Sequence, residues 1–208
     1  RVMNDSDDKR YMEVKFARGP AVFPNNDIKC EVNKRRAIVY AKATNQAITW
    51  CPAKGSPSSK VLEDKLHITE EKEIWLTRHD KECGDLYGML PLSVGMPVAL
   101  MDHLDRNPDK NLLRGRIGYV DSWVLHDEEK STYDNEKRIL QHMPKVVLVQ
   151  FYDWVDRNGE LVQEPCVWII DGIDRPGVYP IKPCRKSWFL DQHRKYPVLE
   201  VKRFQVPL

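Results

Sequence analysis

Cations and aromatic rings in the last third of the chain are its most prominent chemical feature. From Gly172 onward, eight Lys or Arg residues stand against three acids, a local balance of +5 in a chain whose net charge is only +2. Five rings lie among them: Tyr179, Trp188, Phe189, Tyr196 and Phe204. Cations can follow phosphates while rings stack on bases, so the pattern is typical of a channel for single-stranded nucleic acid. On composition alone, a folded unit in which the rings are core and the cations form a solvated face is the commoner source of such a pattern, because buried aromatic rings outnumber stacking rings.

Two smaller groups of reactive residues favour structural roles. His67, His79 and Cys83 are metal-ligand types, but one is remote and no fourth ligand has an obvious spacing, so we interpret them as surface residues. The stretch 102–105 (Asp-His-Leu-Asp) places a His among carboxylates without a nucleophile elbow, which favours solvent-facing turn residues. The sequence therefore predicts no catalytic residue and no metal site.

Length and composition predict a soluble globular chain. The 208 residues, 41% hydrophobic and 31% charged, allow one substantial domain or two small ones with a heavily solvated surface. No apolar run is long enough to cross a bilayer, so no membrane partner is expected. Five Cys without a Cys-x-x-Cys pair favour free thiols in a reducing compartment. Since the chain lacks an initiator Met and ends where a longer protein would continue, we expect it to be a fragment.

The first third predicts a helix between two strands. Asn25, Asn26 and Asp27 offer a capping side chain and a first-turn acid for a helix that continues to about Lys42. Its expected inward stripe comprises Ile28, Val32, Ala37, Val39 and Tyr40, with Lys29, Lys34 and Arg35 pointing outward. The flanking strands are predicted at 19–23 and 48–51, and a polar stretch at 55–85 includes a short helix near 70–77.

The chain beyond Tyr87 has a β pattern. The predicted strands are 97–101, 116–120, 146–151, 166–170 and 198–204. Closely spaced short strands favour a small barrel. The mixed-charge stretch 126–138 lacks periodicity, so we expect a mobile surface insertion there.

Two segments of this region carry a recognisable signature. Leu90-Pro-Leu-Ser-Val-Gly-Met-Pro-Val-Ala-Leu-Met101 is followed after a spacer by Leu113-Arg-Gly-Arg-Ile-Gly-Tyr-Val120. Together they resemble the small barrel inserted in the second motor lobe of Pif-type DNA helicases, the RecD-like branch of superfamily one. The matching positions are Leu90, Leu92, Gly95, Pro97, Val98, Leu104, Asp105, Gly115, Gly118 and Val120.

The glycines of the signature have a physical reason. Gly95 and Pro97 suit a tight entry to a strand, and Gly115 and Gly118 permit a close backbone approach or a positive φ at a corner. Arg114 departs from the family pattern, in which Asn is usual, so any polar role of that position does not carry over.

Two further segments resemble the same family in the same order. PAVFPNNDIKCEVN (20–33) is similar to a strand and helix of the second motor lobe through Asn26 and Asn33, and ITWCPAK (48–54) is similar to the strand that follows. Arg203, Gln205, Pro207 and Leu208 match the Arg-x-Gln-x-Pro-Leu entry to the motif that couples DNA to nucleotide in that family.

The resemblance implies an α/β fold: a partial RecA-like second motor lobe with an inserted small Src-homology-type β-barrel. The implied units are residues 1–54 of the lobe, a polar connection at 55–86, the barrel at 87–171 with its charged loop at 126–138, and a basic, aromatic return into the lobe at 172–208. The candidate DNA-binding residues, led by Arg203 and Gln205, are Asn26, Asn33, Arg116, Lys202, Arg203 and Gln205.

The implied activity is ATP-dependent 5′-to-3′ DNA unwinding by a parent protein of the nucleus or mitochondrion, in DNA repair or recombination. This part would contribute single-stranded DNA binding and coupling, with the rest of the motor in the same parent chain. The sequence contains no Gly-x-x-x-x-Gly-Lys-Ser/Thr phosphate loop and no Asp-Glu pair for magnesium, so ATP and Mg²⁺ are expected in the parent and no cofactor here. Two alternatives stay open: a non-catalytic module that binds single-stranded nucleic acid or a partner, and a degenerate mobile-element helicase.

The missing phosphate loop generates the first testable prediction. The purified 208-residue chain is expected to release no phosphate from ATP in the presence of Mg²⁺ and DNA, because nothing in it can cradle the phosphates. Phosphate release would be followed at micromolar protein concentration. Turnover that disappears when a residue of this chain is mutated would contradict the prediction.

Overall fold

A computed structural model of the chain describes residues 22–57, 74–134, 137–153, 163–189 and 200–208. These residues form mixed α/β structure with few helices, in which one long helix accompanies three larger sheets and a two-stranded ribbon. None of the helices described is long and apolar enough to cross a membrane.

The helix α1 spans Asn26–Ala43, a short helical turn covers 74–77, and a 3₁₀ turn covers Asp80–Cys83. The strands are β1 (Ile48–Pro52), β2 (Lys54–Pro57), β3 (Met89–Leu92), β4 (Pro97–Ala99), β5 (Ile117–Val124), β6 (Lys137–Ile139), β7 (Val146–Gln150), β8 (Tyr152–Asp153), β9 (Glu164–Pro165), β10 (Val178–Ile181), β11 (Cys184–Phe189) and β12 (Glu200–Gln205).

Helix α1 begins where the sequence predicts. The Asn25 side chain accepts a hydrogen bond from the backbone N–H of Asp27 at 2.8 Å, which satisfies one of the free donors of the first turn. The helix ends at Ala43, where the Thr44 N–H bonds to the Tyr40 carbonyl. Of the strand predicted at 19–23, residues 19–21 lie outside the described residues, and Val22 and Phe23 are not in a strand.

The buried face of α1 differs from the predicted stripe. Ile28 and Val39 are 49% and 64% exposed, whereas Cys30, Ala37 and Ala41 are buried. Ala37 and Ala41 pack in one cluster with Ile48, Trp50 and Met96. The prediction for Ile28 and Val39 is wrong because contact is made through small side chains, which allow the helix to lie close to its neighbours.

Lys29 was also expected to point outward, and that prediction is wrong. Its Nζ lies 2.8 Å from Oδ2 of Asp80, whose carboxylate is fully buried. The Cys30 thiol donates to the other carboxylate oxygen of Asp80 at 3.2 Å. A buried carboxylate requires a cation and hydrogen-bond donors. These contacts with Asp80 therefore hold the start of α1 against the 3₁₀ turn.

The first sheet has the order β3-β1-β6. Strand β1, predicted at 48–51, is confirmed; it pairs antiparallel with β3 and parallel with β6. Cys51 lies opposite Leu90, and Thr49 lies opposite Leu92. This pairing joins the first of the predicted units to the third, and the boundaries between the units stay a prediction.

The second sheet, β10-β7-β5-β4, is wholly antiparallel. It confirms the strands predicted at 97–101, 116–120 and 146–151, with β4 shorter and β5 longer than expected. Strand β5 carries an irregularity between Val120 and Ser122, which bends it. The strands described form an open sheet with β10 and β4 at its edges rather than a closed barrel.

The signature glycines have the geometry that their positions predict. Gly95 and Gly115 have φ values of 77° and 88°, which other L-residues rarely adopt. A Cβ at Gly118 would lie 2.5 Å from Val149 Cγ1 and 2.8 Å from Phe151 Cε1. The predicted positive φ and the predicted close approach are therefore both confirmed.

The strand predicted at 166–170 is wrong. Strand β9 ends at Pro165, and the residues that suggested a strand, Val167 and Ile169, are 80% and 63% exposed. The chain turns instead through Gly172 and Gly177, both at positive φ, and the Gly177 N–H bonds to the Trp168 carbonyl. The left-handed backbone at these two glycines reverses the direction of the chain, so residues 166–170 do not form a strand.

Cys83 was expected at the surface, and that prediction is wrong. It is fully buried with Trp75, Trp188 and Val201, because a free thiol packs as a small apolar group. The neighbouring His79 caps the 3₁₀ turn by accepting the Glu82 N–H. All five cysteines are free, as expected from their spacing.

The largest core joins the first two sheets to the last residues described. Val206 and Leu208 are buried in the same cluster as Leu90, Leu92 and Val149. The Met101 N–H bonds to the Pro207 carbonyl at 3.0 Å. Strands β3 and β7 and the last residues described therefore share one interior.

Gly118→Ala is expected to lower the free energy of unfolding by about 2–3 kcal/mol, because the added methyl meets side chains and a backbone oxygen at 3.0 Å or less. Gly172→Ala is the matched control, since it adds only left-handed backbone strain of about 1 kcal/mol, with no heavy atom within 4 Å. Urea unfolding of both variants measures the difference. Equal losses would contradict the close approach at Gly118.

Candidate nucleic-acid interface

The third sheet, β11-β12-β2, has two faces of opposite character. Phe204 of β12 lies opposite Arg185 and Lys54, and Lys202 lies opposite Ser187 and Ser56. Directly opposed residues share a face and successive residues alternate, so both rows lie on the same side of the sheet. We call this side the outer face; it comprises Lys54, Ser56, Arg185, Ser187, Phe189, Glu200, Lys202 and Phe204.

Cations and rings are mixed on the outer face. Lys54, Arg185 and Lys202 are exposed, and among the described residues neither lysine forms an ion pair. The Arg185 guanidinium carbon lies 5.6 Å from the centroid of the half-buried Phe204 ring, a cation–π contact. Phe189 is 44% exposed. With the half-buried Glu200 as its acid, the face carries three cations against one carboxylate.

The inner face of the same sheet contains Arg203, a first candidate for DNA binding. Its side chain is 2% exposed and donates to the carbonyl oxygens of Leu86, at 2.9 Å, and Trp75. The guanidinium also lies 5.6 Å from the centroid of the Trp188 ring. Burial lowers the pKa of Arg203 from its ordinary value, because removal from water disfavours the charged form.

Gln205, the other first candidate, is fully buried and joins segments that are distant in sequence. Its Nε2 donates to the Cys51 carbonyl at 2.8 Å and to the Tyr87 carbonyl at 3.4 Å. Its Oε1 accepts the Val206 N–H at 2.9 Å. The amide thus ties β12 to β1 and to the chain just before β3.

The remaining candidates lie apart from one another. Asn26 is exposed at the first turn of α1, and Asn33 donates to the Tyr87 hydroxyl at 3.0 Å. Arg116 lies just before β5, where it donates to the Lys110 carbonyl at 2.8 Å and pairs with Asp153 at 3.2 Å. Of the six candidates, only Lys202 lies on the outer face, and the DNA-binding roles of all six stay predictions.

Arg185 is one of the eight cations of the last third, but the sequence does not predict that Arg185 and Lys54 share a face with Lys202. Period-two alternation was visible within β12, where exposed and buried residues alternate from Glu200 to Gln205. Nothing local predicts that β2 pairs with β12, and so the contribution of Lys54 to this face had no sequence signal. Trp188, one of the five rings of the last third, is 3% exposed and belongs to a core cluster rather than to this face.

Comparisons with known proteins give one weak likeness in fold. No family model matches the chain, and no curated protein matches it. Among solved structures, the chain is similar to a crystal structure of the Pif1 helicase from Candida albicans, with 17% sequence identity and a TM-score of 0.42. The match covers 85% of this chain and 32% of that chain, so this chain spans about a third of that helicase.

The opposite orientation of neighbouring β12 side chains generates a stability prediction. Arg203→Ala and Gln205→Ala are each expected to lower the free energy of unfolding by about 2–4 kcal/mol, because both leave buried carbonyls without a donor and open a cavity. Lys202→Ala, in the same strand, should change it by no more than about 0.5 kcal/mol. Urea unfolding measures all three. A loss at Lys202 as large as that at Arg203 would show that the two faces are assigned incorrectly.

Proposed function

We propose that the chain binds single-stranded DNA on the outer face of the β11-β12-β2 sheet and is part of the second motor lobe of a Pif-type, ATP-dependent DNA helicase. The observation that carries the DNA-binding proposal is the pair of cross-strand rows, Lys54–Phe204–Arg185 and Ser56–Lys202–Ser187. Cations supply affinity for phosphates, and a ring between them offers a stacking surface for any base.

The form of the outer face favours a single strand over a duplex. It is a sheet surface with rings, and stacking on a ring requires a base that is free of its partner. Lys54 and Arg185 flank Phe204 on neighbouring strands, so their Cα atoms are separated by about two strand spacings, roughly 9.6 Å. A strand crossing this face can place a base on the ring while its phosphates meet cations on both sides.

The helicase part of the proposal rests on the motif residues of this chain. The glycines at 95, 115 and 118 have the conformations that the barrel signature requires, and Gln205 links the coupling-motif strand to β1. These placements support a RecA-like lobe and an inserted Src-homology-type barrel built around the β10-β7-β5-β4 sheet. In this proposal, Arg203 and Gln205 position the coupling strand, while ATP and Mg²⁺ belong to the first lobe of the parent.

A second candidate is a non-catalytic module that binds single-stranded nucleic acid. The outer face favours this second candidate, because all of its cations and rings belong to this chain and can bind nucleic acid without a motor domain. The parent sequence distinguishes the two candidates. A phosphate loop upstream and a Gln-Gly motif downstream support the motor, and their absence supports the module.

Removing outer-face cations is expected to weaken DNA binding with a reduced salt dependence. For Lys202→Ala, the slope of log affinity against log salt should fall by about 0.7, the value for one phosphate contact on a single strand. The triple variant Lys54→Ala/Arg185→Ala/Lys202→Ala should lose about 2 from the slope. Fluorescence anisotropy with a labelled oligothymidine at several salt concentrations measures both.

Lys137→Ala, an exposed cation of β6, is the matched control and should leave affinity and slope unchanged. Phe189→Ala should weaken binding at every salt concentration with an unchanged slope, because it removes stacking rather than charge. Wild-type affinity and slope in the triple variant would show that the outer face does not bind DNA.

A further inference from the structure

Three metal-ligand side chains meet beyond the end of β5. His126 and Glu128 lie in the turn that follows β5, and His142 lies between β6 and β7. One ligand atom from each of the three lies within 4.8 Å of the others. The sequence gives no signal for this group, because thirteen residues lie between Glu128 and His142 and no fixed motif has that spacing.

One ligand-to-ligand distance in this group is close to what a small ion requires. His142 Nε2 lies 3.7 Å from Glu128 Oε2. Two ligands on a tetrahedral ion, with bonds of about 2.0–2.1 Å, lie about 3.3 Å apart, so the present gap must close by a few tenths of an ångström. The imidazoles of His126 and His142 are stacked with centroids 5.0 Å apart, and each ring must turn to direct a lone pair at a shared ion.

Among the described residues, neither imidazole forms a hydrogen bond shorter than 3.3 Å. The Nδ1 of His126 accepts the Glu128 N–H at 3.3 Å, longer than the usual range for a hydrogen bond. The Nδ1 of His142 is buried and has no hydrogen-bond partner among the described residues. A buried polar atom without a partner is uncommon and requires an explanation.

The carboxylate of Glu129 lies close to this atom. Its side chain is inaccessible to solvent, and one of its oxygens lies 3.9 Å from His142 Nδ1. The carboxylate accepts backbone N–H groups of Ser131, Gln141 and His142 at 2.9, 3.3 and 2.7 Å. These three N–H donors fix the Glu129 carboxylate directly behind His142.

We propose that His126, Glu128 and His142 bind a divalent transition-metal ion of the Zn²⁺ class, with Glu129 as a positioning residue behind His142. When Nε2 of His142 binds the ion, the proton resides on Nδ1, and a turn of the ring that shortens the present 3.9 Å gap allows Nδ1 to donate to Glu129. This is the carboxylate–histidine–metal arrangement common behind metal ligands. Two imidazoles with one carboxylate favour Zn²⁺, Co²⁺, Ni²⁺ or Cu²⁺ over Mg²⁺ and Ca²⁺, which prefer oxygen. The bound ion ties the charged turn after β5 to the segment that enters β7.

Cobalt is the probe, because its visible absorption reports the coordination geometry and ligands directly. The metal-stripped 208-residue chain is titrated with Co²⁺, and Zn²⁺ is then added in competition. We expect saturable absorption at one equivalent, displaced by Zn²⁺ and unaffected by a large excess of Mg²⁺. Absence of Co²⁺ binding by the wild-type chain, or displacement by Mg²⁺, would overturn the proposal.

Variants assign the ligands. His126→Gln and His142→Gln should each lower Co²⁺ affinity at least tenfold, whereas His103→Gln, which removes an exposed imidazole elsewhere, should leave it unchanged. Glu129→Gln should keep one equivalent but lower affinity by about 10–100-fold, the usual cost of losing a partner behind a ligand. Far-ultraviolet circular dichroism checks that each variant is folded. Folded His126 and His142 variants with wild-type affinity and spectrum would place the ion elsewhere and overturn the assignment.

Discussion

The buried guanidinium of Arg203 is the constraint on which the arrangement of the third sheet depends. Among the described residues, no carboxylate lies within ion-pair distance of it, and it donates to the carbonyls of Leu86 and Trp75. Placing a charge in the interior costs several kcal/mol unless it is hydrogen-bonded, so the helical turn at 74–77 and the chain before β3 must both be in place. Because β12 is the central strand, fixing Arg203 inward also fixes Lys202 and Phe204 outward.

The same reasoning separates a motif from its expected role. Arg203 and Gln205 resemble the entry to a coupling motif, and their residue types suggest contact with DNA. In the structure they hold the strand through buried hydrogen bonds, and the exposed chemistry comes from residues between and opposite them. Side chains alternate between the two faces of β12. Some residues of this motif are therefore buried and stabilise the fold, whereas their neighbours face solvent.

Local signals predicted the parts of the fold that local chemistry determines. The Asn25 cap, strands β1, β4, β5 and β7, and the glycine corners follow from capping, alternation and backbone freedom. The buried face of α1 did not, because contact through small alanines carries little hydrophobic signal. The outer face and the His126–Glu128–His142 group depend on which strands and turns become neighbours. Pairing between segments that are distant in the sequence produces no periodic pattern of residues from which it could be predicted.

The long-range pairing of β12 also bears on the order of folding. Gln205 bonds to Cys51 across a separation of 154 residues, and β12 pairs with β2 on one side and β11 on the other. Closing so long a loop has an entropic cost before any contact compensates for it, so this sheet should assemble late. Until then, Trp75 and Trp188 have no cover from β12, and the nascent chain presents an apolar surface that invites association with other unfolded chains. A chaperone that holds such surfaces would therefore protect this chain chiefly until β12 has been synthesised.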